Sequence, residues 1–274
     1  MTICPVCFHH CNLAEGQIGF CRARQNIQDS IKPINYGLLT SLAFDPIEKK
    51  PLQRFYPGSS VLSLGSFGCN LHCPFCQNYE ISMAGPATYK LNYVAPEVIV
   101  QKALELQKAG NIGVAYTYNE PLICYEYIVD TGKKLHEAGL KNVVVTNGTA
   151  ALPVAKALTG IVDAYNIDLK GITEAYYKKL SGNLAMVQAF IQAVVPVAHV
   201  ELTTLIVPGE NDSVAEMEEL SSWIAALSPE ISLHVSRFFP RFEKQDVPAT
   251  SVQTIYQLAE TAQHHLKYVY TGNC

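Results

Sequence analysis

Three cysteines are spaced closely enough in one short segment to ligate a metal cluster. Cys69, Cys73 and Cys76 follow the apolar segment Val61–Leu64 at spacings of four and three residues. Three thiolates at these spacings can hold three corners of a cubane iron–sulfur cluster, which normally takes four cysteines. The next cysteine is Cys124, inside a segment with a helical pattern, so no fourth thiol follows nearby. We therefore predict a cluster with one iron left open for a small molecule.

A second group of cysteines lies at the amino end of the chain. Cys4, Cys7, Cys11 and Cys21 fall within eighteen residues, and the first two have the Cys-x2-Cys spacing of a metal knuckle. A tetrahedral zinc ion on these thiolates would supply folding free energy to a stretch that is poor in hydrophobic residues. Zinc is our first interpretation. The alternative is a second iron–sulfur cluster that relays electrons to the first.

The composition is typical of a soluble α/β enzyme. The chain has 274 residues, of which 49% are hydrophobic and 16% charged, enough to bury the core of one barrel-sized domain. A net charge of −4 gives no electrostatic reason to expect a nucleic acid or a membrane surface as a partner. The chain shows no signal-peptide pattern and no apolar run that could span a bilayer, so we expect a cytoplasmic protein with reduced cysteines.

Helical patterns alternate from Val61 onward with short apolar segments rich in valine and isoleucine. Continuous apolar runs of this length are typical of parallel strands buried on both faces. Pro96 lies in the first turn of one predicted helix, and Gly110 follows its end. Gly139 closes another helix, and Ser213 begins a capping box before a third. The six predicted strands are Val61–Leu64, Ile112–Thr117, Val143–Thr146, Ala164–Leu169, Val200–Ile206 and Ile231–Ser236.

Six strand–helix repeats predict a parallel sheet with right-handed crossovers, either doubly wound or closed partway into a barrel. We expect an α/β fold with a partial (β/α)6 TIM-like barrel over residues 61–274. A small cysteine-rich metal-binding module would occupy residues 1–30, and residues 31–60 would connect the two. The connecting segment contains the charged, proline-containing run Phe44–Leu52, which cannot form a central strand or a long helix. We interpret this run as a solvated loop.

Polar residues follow the predicted strands, where parallel α/β sheets carry their chemistry. Each has a structural explanation of its own. Glu120 could favour a helix N-terminus, and His234 could be a hydrogen-bonded core histidine. Asp168 and Lys170 could form an ordinary ion pair. Their shared position beyond the strand ends nevertheless predicts a polar small-molecule site. The candidates are Glu120, Thr146, Asn147, Asp168, Lys170 and His234.

These residues and their order resemble the radical SAM enzymes. The Cys-x3-Cys-x2-Cys spacing is the signature of that superfamily, and Phe75 stands at its aromatic position before the last cysteine. The resemblance extends over nearly the whole chain. It is strongest to the pyruvate formate-lyase activating-enzyme-like group, and within it to the AmmeMemoRadiSam branch. The stretches that carry it are Asp45–Pro51, Gly68–Asn78, Tyr116–Pro121, Asn166–Lys170 and Tyr268–Asn273.

The resemblance implies a [4Fe-4S] cluster on Cys69, Cys73 and Cys76. S-adenosylmethionine (SAM) would chelate the open iron through its amino and carboxylate groups. An electron from a donor such as flavodoxin or ferredoxin would then cleave the sulfonium, giving methionine and a 5′-deoxyadenosyl radical. That radical would abstract hydrogen from a protein, a peptide or a small molecule.

The resemblance also implies roles for the strand-end residues. Glu120 corresponds to the glutamate of the family's Gly-Gly-Glu element near the SAM amino group, with Tyr118 and Asn119 in place of the glycines. Val145 stands where activating enzymes often have a carboxylate, so no bound cation is expected there. The other correspondences are Thr146 and Asn147 near the cofactor, Lys170 of the Asp168–Lys170 pair at the SAM carboxylate, His234 at the ribose and Phe75 at the adenine.

Two alternative functions are narrower or different in kind. Glycyl-radical-enzyme activators usually carry a Gly/Ser-rich segment before the cluster loop, whereas this chain has Phe55–Ser60 and the cysteine module. A glycyl-radical activator in the strict sense is therefore an alternative to a wider substrate class. The other alternative is a non-catalytic scaffold with two structural zinc sites, in which His72 would supply a missing ligand.

Overall fold

The computed structural model describes residues 1–274 and is dominated by one eight-stranded sheet. The strands are β1 (Thr2–Ile3), β2 (Asn12–Leu13), β3 (Arg24–Ile27), β4 (Ser30–Pro33), β5 (Ser41–Pro46), β6 (Ser60–Gly65), β7 (Asn111–Tyr116), β8 (Lys141–Thr146), β9 (Ala164–Asp168), β10 (His199–Ile206), β11 (Ser232–Arg237) and β12 (Val269–Gly272). The helices are α1 (Tyr79–Ser82), α2 (Pro96–Glu105), α3 (Tyr125–Glu137), α4 (Leu152–Leu158), α5 (Glu174–Lys179), α6 (Leu184–Val194), α7 (Val214–Leu227) and α8 (Val252–Gln263).

The large sheet has the order β12-β11-β10-β9-β8-β7-β6-β5, so neighbours in the chain are neighbours in space. Strands β6 to β12 run parallel, and β5 pairs antiparallel with β6. Strands β5 and β12 form the two edges and do not pair with each other, which leaves the barrel open. This confirms the predicted partial TIM-like barrel. The six predicted strands are β6 to β11, and β5 and β12 extend the sheet at both edges.

The interpretation of Phe44–Leu52 as a solvated loop is wrong. Its first residues belong to edge strand β5, and a 3₁₀ turn follows at Ile47–Lys49. Ile47 and Leu52 are fully buried, in a cluster with Val61 of β6 and with apolar residues of the next three strands. The prediction that the run is not a central strand holds, because β5 is an edge strand that ends at a proline.

The predicted helix ends are confirmed. Pro96 is the first residue of α2, and Gly110 closes the 3₁₀ turn that follows, with a φ of 92°. Gly139 has a φ of 74° just after α3, in the left-handed region that favours glycine. The hydroxyl of Ser213 accepts the amide of Glu216 at 3.2 Å and caps α7. None of the eight helices is long and apolar enough to cross a membrane.

The first 33 residues form two small antiparallel sheets, β1–β2 and β3–β4. Arg24 joins them to the barrel: its guanidinium donates to the carbonyl of Ile123 at 2.9 Å and pairs with Glu126 at 2.7 Å. The module also packs directly on the cysteine loop. A Cβ at Gly68 would lie 2.5 Å from the carbonyl oxygen of Cys21, so only glycine permits this approach.

Candidate active site

A cavity of about 270 Å³ opens at the carboxyl ends of the parallel strands. The cysteine loop after β6 forms one side, and residues at or just after the ends of β7 to β12 form most of the rest. The sequence-predicted residues in its lining are Cys69, Cys73, Phe75, Cys76, Glu120, Thr146, Asn147, Asp168 and Lys170. The structure thus brings together every predicted cluster and cofactor residue except His234.

The three cysteines of the loop face this cavity as buried or half-buried thiols. Burial raises the pKa of Cys69 above its ordinary value, and it raises the pKa of Cys73 to about 12. Without a cation both would therefore remain thiols at neutral pH. Two donors already point at Cys69 Sγ: the amide of Leu71 at 3.4 Å and Asn147 Nδ2 at 3.7 Å. Donors of this kind favour a thiolate, which is the form that binds a metal.

Glu120 is the buried carboxylate of the cavity, with an exposed fraction of 2%. Its Oε1 accepts the hydroxyl of Thr146 at 2.6 Å and the amide of Leu122 at 2.9 Å. Its Oε2 accepts the amide of Asn147 at 2.8 Å. Burial raises its pKa to about 7 although these three donors act against the rise. A cation placed beside Glu120 would stabilise the carboxylate form, so the site is suited to an ammonium group.

Lys170 is the lysine that lines the same cavity. Its Nζ lies 2.6 Å from Asp168 Oδ2 at the end of β9. Burial opposes its charge, but Asp168 and Cys73 outweigh burial and raise its pKa above the ordinary value. The cavity therefore holds a buried carboxyl group just after β7 and a lysine ammonium group beyond β9. That arrangement complements a zwitterionic amino acid group.

Asn147 connects the cavity to the loop and to the cysteine module. Its Nδ2 donates to Asn70 Oδ1 at 2.9 Å, and Asn70 donates in turn to the carbonyl of Thr149 at 2.6 Å. The ring of His9 bonds the carbonyl of Asn70 at 2.9 Å. Phe75 packs edge-on against Phe238 on the other side of the loop.

His234 lies outside the lining of the cavity, whereas the resemblance implied that it contacts the ribose. Its Nε2 lies 2.7 Å from Glu201 Oε2, and its ring stacks on Tyr270. Glu201 is fully buried and also bonds His199 and two backbone amides, those of Gln53 and Arg54. His234 therefore belongs to a hydrogen-bonded network inside the barrel, which is the ordinary fate of a core histidine.

Sequence reasoning missed several residues that line the cavity. Ser236 lines the cavity and lies two positions beyond His234 on the same face of β11. Asn273 reaches the cavity just after edge strand β12, whose strand character had no clear signal in the sequence. Thr203 and Tyr118 complete this part of the wall. Their position near strand ends was one signal that could have identified them, and Tyr118 and Asn273 also lie in stretches that carry the family resemblance.

The four amino-terminal cysteines lie together in the module. Cys4, Cys7 and Cys21 are buried, and Cys11 is half-buried. Burial raises the pKa of the three buried thiols, and the backbone two residues further on, at Val6, His9 and Ala23, acts against that rise. The amide of Phe20 donates to Cys11 Sγ at 3.5 Å. No three His, Cys, Asp or Glu side chains of the chain are grouped so that they could hold a metal ion as they stand.

Comparison with known proteins agrees with this geometry. Residues 64–222, more than half of the chain, match the Radical SAM superfamily model. An uncharacterized protein of Methanocaldococcus jannaschii is 40% identical over 273 residues, which cover 98% of this chain and 80% of that protein.

Two solved structures share the fold. A domain of pyruvate-formate lyase-activating enzyme from Bacteroides vulgatus matches with a TM-score of 0.52 and 15% identity, over 58% of this chain and 98% of that one. A radical SAM methyltransferase from Sphaerobacter thermophilus matches with a TM-score of 0.59 and 18% identity, over 79% and 67% of the two chains. The family match sets aside the alternative of a non-catalytic zinc scaffold. The chain belongs to the radical SAM superfamily and is an enzyme of SAM-dependent radical chemistry.

Proposed function

We propose that the enzyme cleaves SAM reductively at a [4Fe-4S] cluster held by Cys69, Cys73 and Cys76. When bound, the cluster supplies the electron that breaks the sulfonium bond, giving methionine and a 5′-deoxyadenosyl radical that abstracts hydrogen from the substrate. The donors at Cys69 support this ligand set, because hydrogen bonds to sulfur stabilise thiolates and tune the cluster. A cubane is a larger body than a single ion, so its three thiols need not converge on one point.

The observation that carries the proposal is the pair of opposite charges beside the three cysteines. Glu120 would bind the amino group of SAM, held in place by Thr146 and the amide of Asn147. Lys170, fixed by Asp168, would bind the carboxylate. Phe75 would contact the adenine from the loop. These contacts would turn the amino acid group of SAM toward the open corner of the cluster. Burial would exclude water from the reacting centre.

Anaerobic reconstitution with iron and sulfide tests the ligand assignment. We expect visible thiolate-to-iron absorbance and, after reduction, an electron paramagnetic resonance (EPR) signal that changes when SAM is added. Cys73→Ala should lose the SAM-sensitive signal, whereas Cys124→Ala should keep it, because Cys124 is a buried cysteine that does not line the cavity. A reconstituted wild-type protein without a SAM-sensitive signal would refute the proposal.

The substrate belongs to one of two classes, a protein or peptide or else a small molecule. The open edge between β5 and β12 supports the first class, because a lateral opening admits a segment of another chain. A glycyl-radical activator in the strict sense is the narrower form of the same idea. The fold does not distinguish a glycyl-radical activator from other radical SAM enzymes, since a radical SAM methyltransferase shares the fold. Membership of the AmmeMemoRadiSam branch remains a prediction. If a protein that co-purifies with the enzyme carries a covalent modification or a deuterium label after the reaction, the substrate belongs to the protein or peptide class.

The four amino-terminal cysteines would hold a second metal, with zinc as the first assignment and an iron–sulfur cluster as the alternative. Metal-bound thiolates are supported there by the amide of Phe20, which donates to Cys11 Sγ, and by backbone groups that lower the pKa of the three buried thiols against the effect of burial. The thiols would have to turn toward one another on binding, because no three of them are grouped around one ion. Elemental analysis of protein isolated without oxygen distinguishes the metals.

We further propose that a flavodoxin or ferredoxin supplies the electron in the cytoplasm, where nine cysteines stay reduced.

A further inference from the structure

Lys50 is a buried lysine next to an exposed one. Its side chain is 3% exposed and its Nζ lies 2.9 Å from Asp45 Oδ2. Lys49 is 67% exposed and lies 3.6 Å from the other oxygen of the same carboxylate. Burying an ammonium group costs free energy unless the group is paired and hydrogen-bonded. Lys50 therefore depends on its bond to Asp45, whereas the exposed Lys49 does not. Radical chemistry as described above does not explain the buried one.

The partner of Asp45 and Lys50 is Tyr118, which lies on the cavity wall. The phenol of Tyr118 donates to Asp45 Oδ2 at 2.8 Å, and the Lys50 ammonium lies 4.7 Å from the centre of the Tyr118 ring. Although burial acts against it, hydrogen bonds from Lys50 and Tyr118 lower the pKa of Asp45 to about 2. Burial and Asp45 raise the pKa of Tyr118 to about 12. The phenol therefore remains a donor, and the carboxylate an acceptor, throughout the physiological range.

The backbone of Tyr118 needs such an anchor. Its φ is 73°, a left-handed conformation that a bulky side chain rarely adopts. The ring lies over Gly65, where an added Cβ would come within 2.9 Å of it. The carbonyl of Tyr118 accepts Asn78 Nδ2 at 2.8 Å, and Glu120 follows two residues later. The conformation of Tyr118 thus bears on both the cysteine loop and the buried carboxylate.

We propose that Asp45 and Lys50 are positioning residues that clamp the Tyr118 phenol and so hold residues 118–120 in the conformation that receives SAM. The proposal rests on the proposed function, because it assigns this segment to the SAM site. It gives a role to the stretch Asp45–Pro51, which lies in the edge strand and the turn after it. The clamp holds the left-handed backbone of Tyr118 through a side chain that also forms part of the cavity wall.

SAM binding to the reconstituted enzyme tests the clamp. We expect Asp45→Asn, Lys50→Met and Tyr118→Phe each to weaken SAM binding roughly tenfold, the effect of losing one hydrogen bond to a charged group. The matched control Lys49→Ala should bind SAM as the wild type does. In the clamp variants the SAM-induced change of the reduced EPR signal should also be smaller or shifted, which a general loss of stability would not produce.

Two measurements keep the failure of the clamp separate from failure of the proposed function. Iron content and the EPR signal without SAM report whether the cluster assembles, and wild-type protein reports whether SAM binds at all. If Lys50→Met does not fold, Tyr118→Phe keeps the ring and removes only the hydroxyl. The double variant of Asp45→Asn and Tyr118→Phe should cost less than the sum of the two single effects, because both substitutions weaken the bond between Asp45 and Tyr118. Wild-type SAM affinity and EPR response in Asp45→Asn and Tyr118→Phe would overturn the proposal.

Discussion

The hydroxyl of Thr146 donates to the carboxylate of Glu120 at 2.6 Å, although 26 positions separate the two residues in the chain. This contact joins the end of β8 to the turn after β7. Glu120 therefore cannot move without disturbing the next strand, and its burial keeps its pKa near 7. A buried carboxylate held by three donors, with no cation bonded to it, is prepared for a positively charged ligand.

Replacing Glu120 tests whether its carboxylate binds the positively charged amino group of SAM. Glu120→Gln keeps the size of the side chain and removes its charge. We expect SAM binding to weaken by roughly ten- to a hundredfold, corresponding to about 1.5–3 kcal/mol for a hydrogen bond to a charged group. Titration of the reconstituted protein with SAM measures this. Glu230→Gln is the control, because Glu230 is exposed and pairs only with Lys267. An unchanged affinity in Glu120→Gln would remove Glu120 from the SAM site.

Gly68 tests the packing of the cysteine module on the loop. Gly68→Ala combines a φ of 88° with a Cβ only 2.5 Å from the carbonyl oxygen of Cys21. Gly110→Ala has a similar φ of 92° but no atom within 4 Å, so it carries only the conformational cost, about 1–2 kcal/mol. We expect Gly68→Ala to be clearly more destabilising in urea unfolding and to reduce the iron bound on reconstitution. Equal effects of the two substitutions would show that the module does not pack on the loop.

His234 distinguishes a structural role from a cofactor role. His234→Ala removes one of the two donors to Oε2 of the fully buried Glu201 and leaves only the amide of Gln53 there, so we expect a loss of about 1.5–3 kcal/mol in unfolding free energy. SAM affinity should change little in the variant that remains folded at low temperature. A selective loss of SAM binding with unchanged stability would instead place His234 at the ribose.

Glu201 sets a pH dependence of stability. Burial acts against its charge, but bonds from His199, His234 and two backbone amides lower its pKa to about 2. Because the unfolded chain takes up this proton first, the stabilisation is complete above pH 4.5 and is lost as the pH falls toward 2. Glu201→Gln should therefore be much less stable than the wild type at pH 7, and the difference should narrow at pH 3. A difference that is constant with pH would contradict this account.

The amino-terminal cysteines have a separable role. Cys4→Ser should lower the content of one metal and destabilise the module, while the SAM-sensitive EPR signal of the loop cluster remains. Cys69→Ala should abolish the SAM-sensitive EPR signal but leave the metal and the stability of the amino-terminal module unchanged. Metal analysis of both variants, together with thermal unfolding, makes the comparison. Loss of the SAM-sensitive signal in Cys4→Ser would mean that the two cysteine groups act as one unit.

Sequence patterns predicted the parallel strands and the residues at their ends because both signals are local. Valine-rich runs of the right length predict buried parallel strands, and parallel strands bring their carboxyl ends to one edge. How deep a residue lies within the barrel, in contrast, has no local sequence signal. His234 and Ser236 lie on the same face of β11, and only the stagger of the strands decides which one reaches the cavity.

Contacts between distant parts of the chain had no sequence signal. Asp45 and Tyr118 are 73 positions apart, and nothing near either residue indicates the other. The charges and prolines of the Asp45–Pro51 stretch excluded a central strand, but an antiparallel edge strand tolerates them. Its role depends on pairing with β6, which is set by the whole sheet.

Reductive cleavage of SAM at the proposed cluster on Cys69, Cys73 and Cys76 would release two products that can be measured. The most direct measurement is the formation of 5′-deoxyadenosine and methionine when the anaerobically reconstituted protein receives dithionite and SAM. We predict both products in equal amounts from the wild type, and none above background from Cys73→Ala. Absence of 5′-deoxyadenosine from wild-type protein that holds a reduced cluster, or its equal formation by Cys73→Ala, would contradict the account.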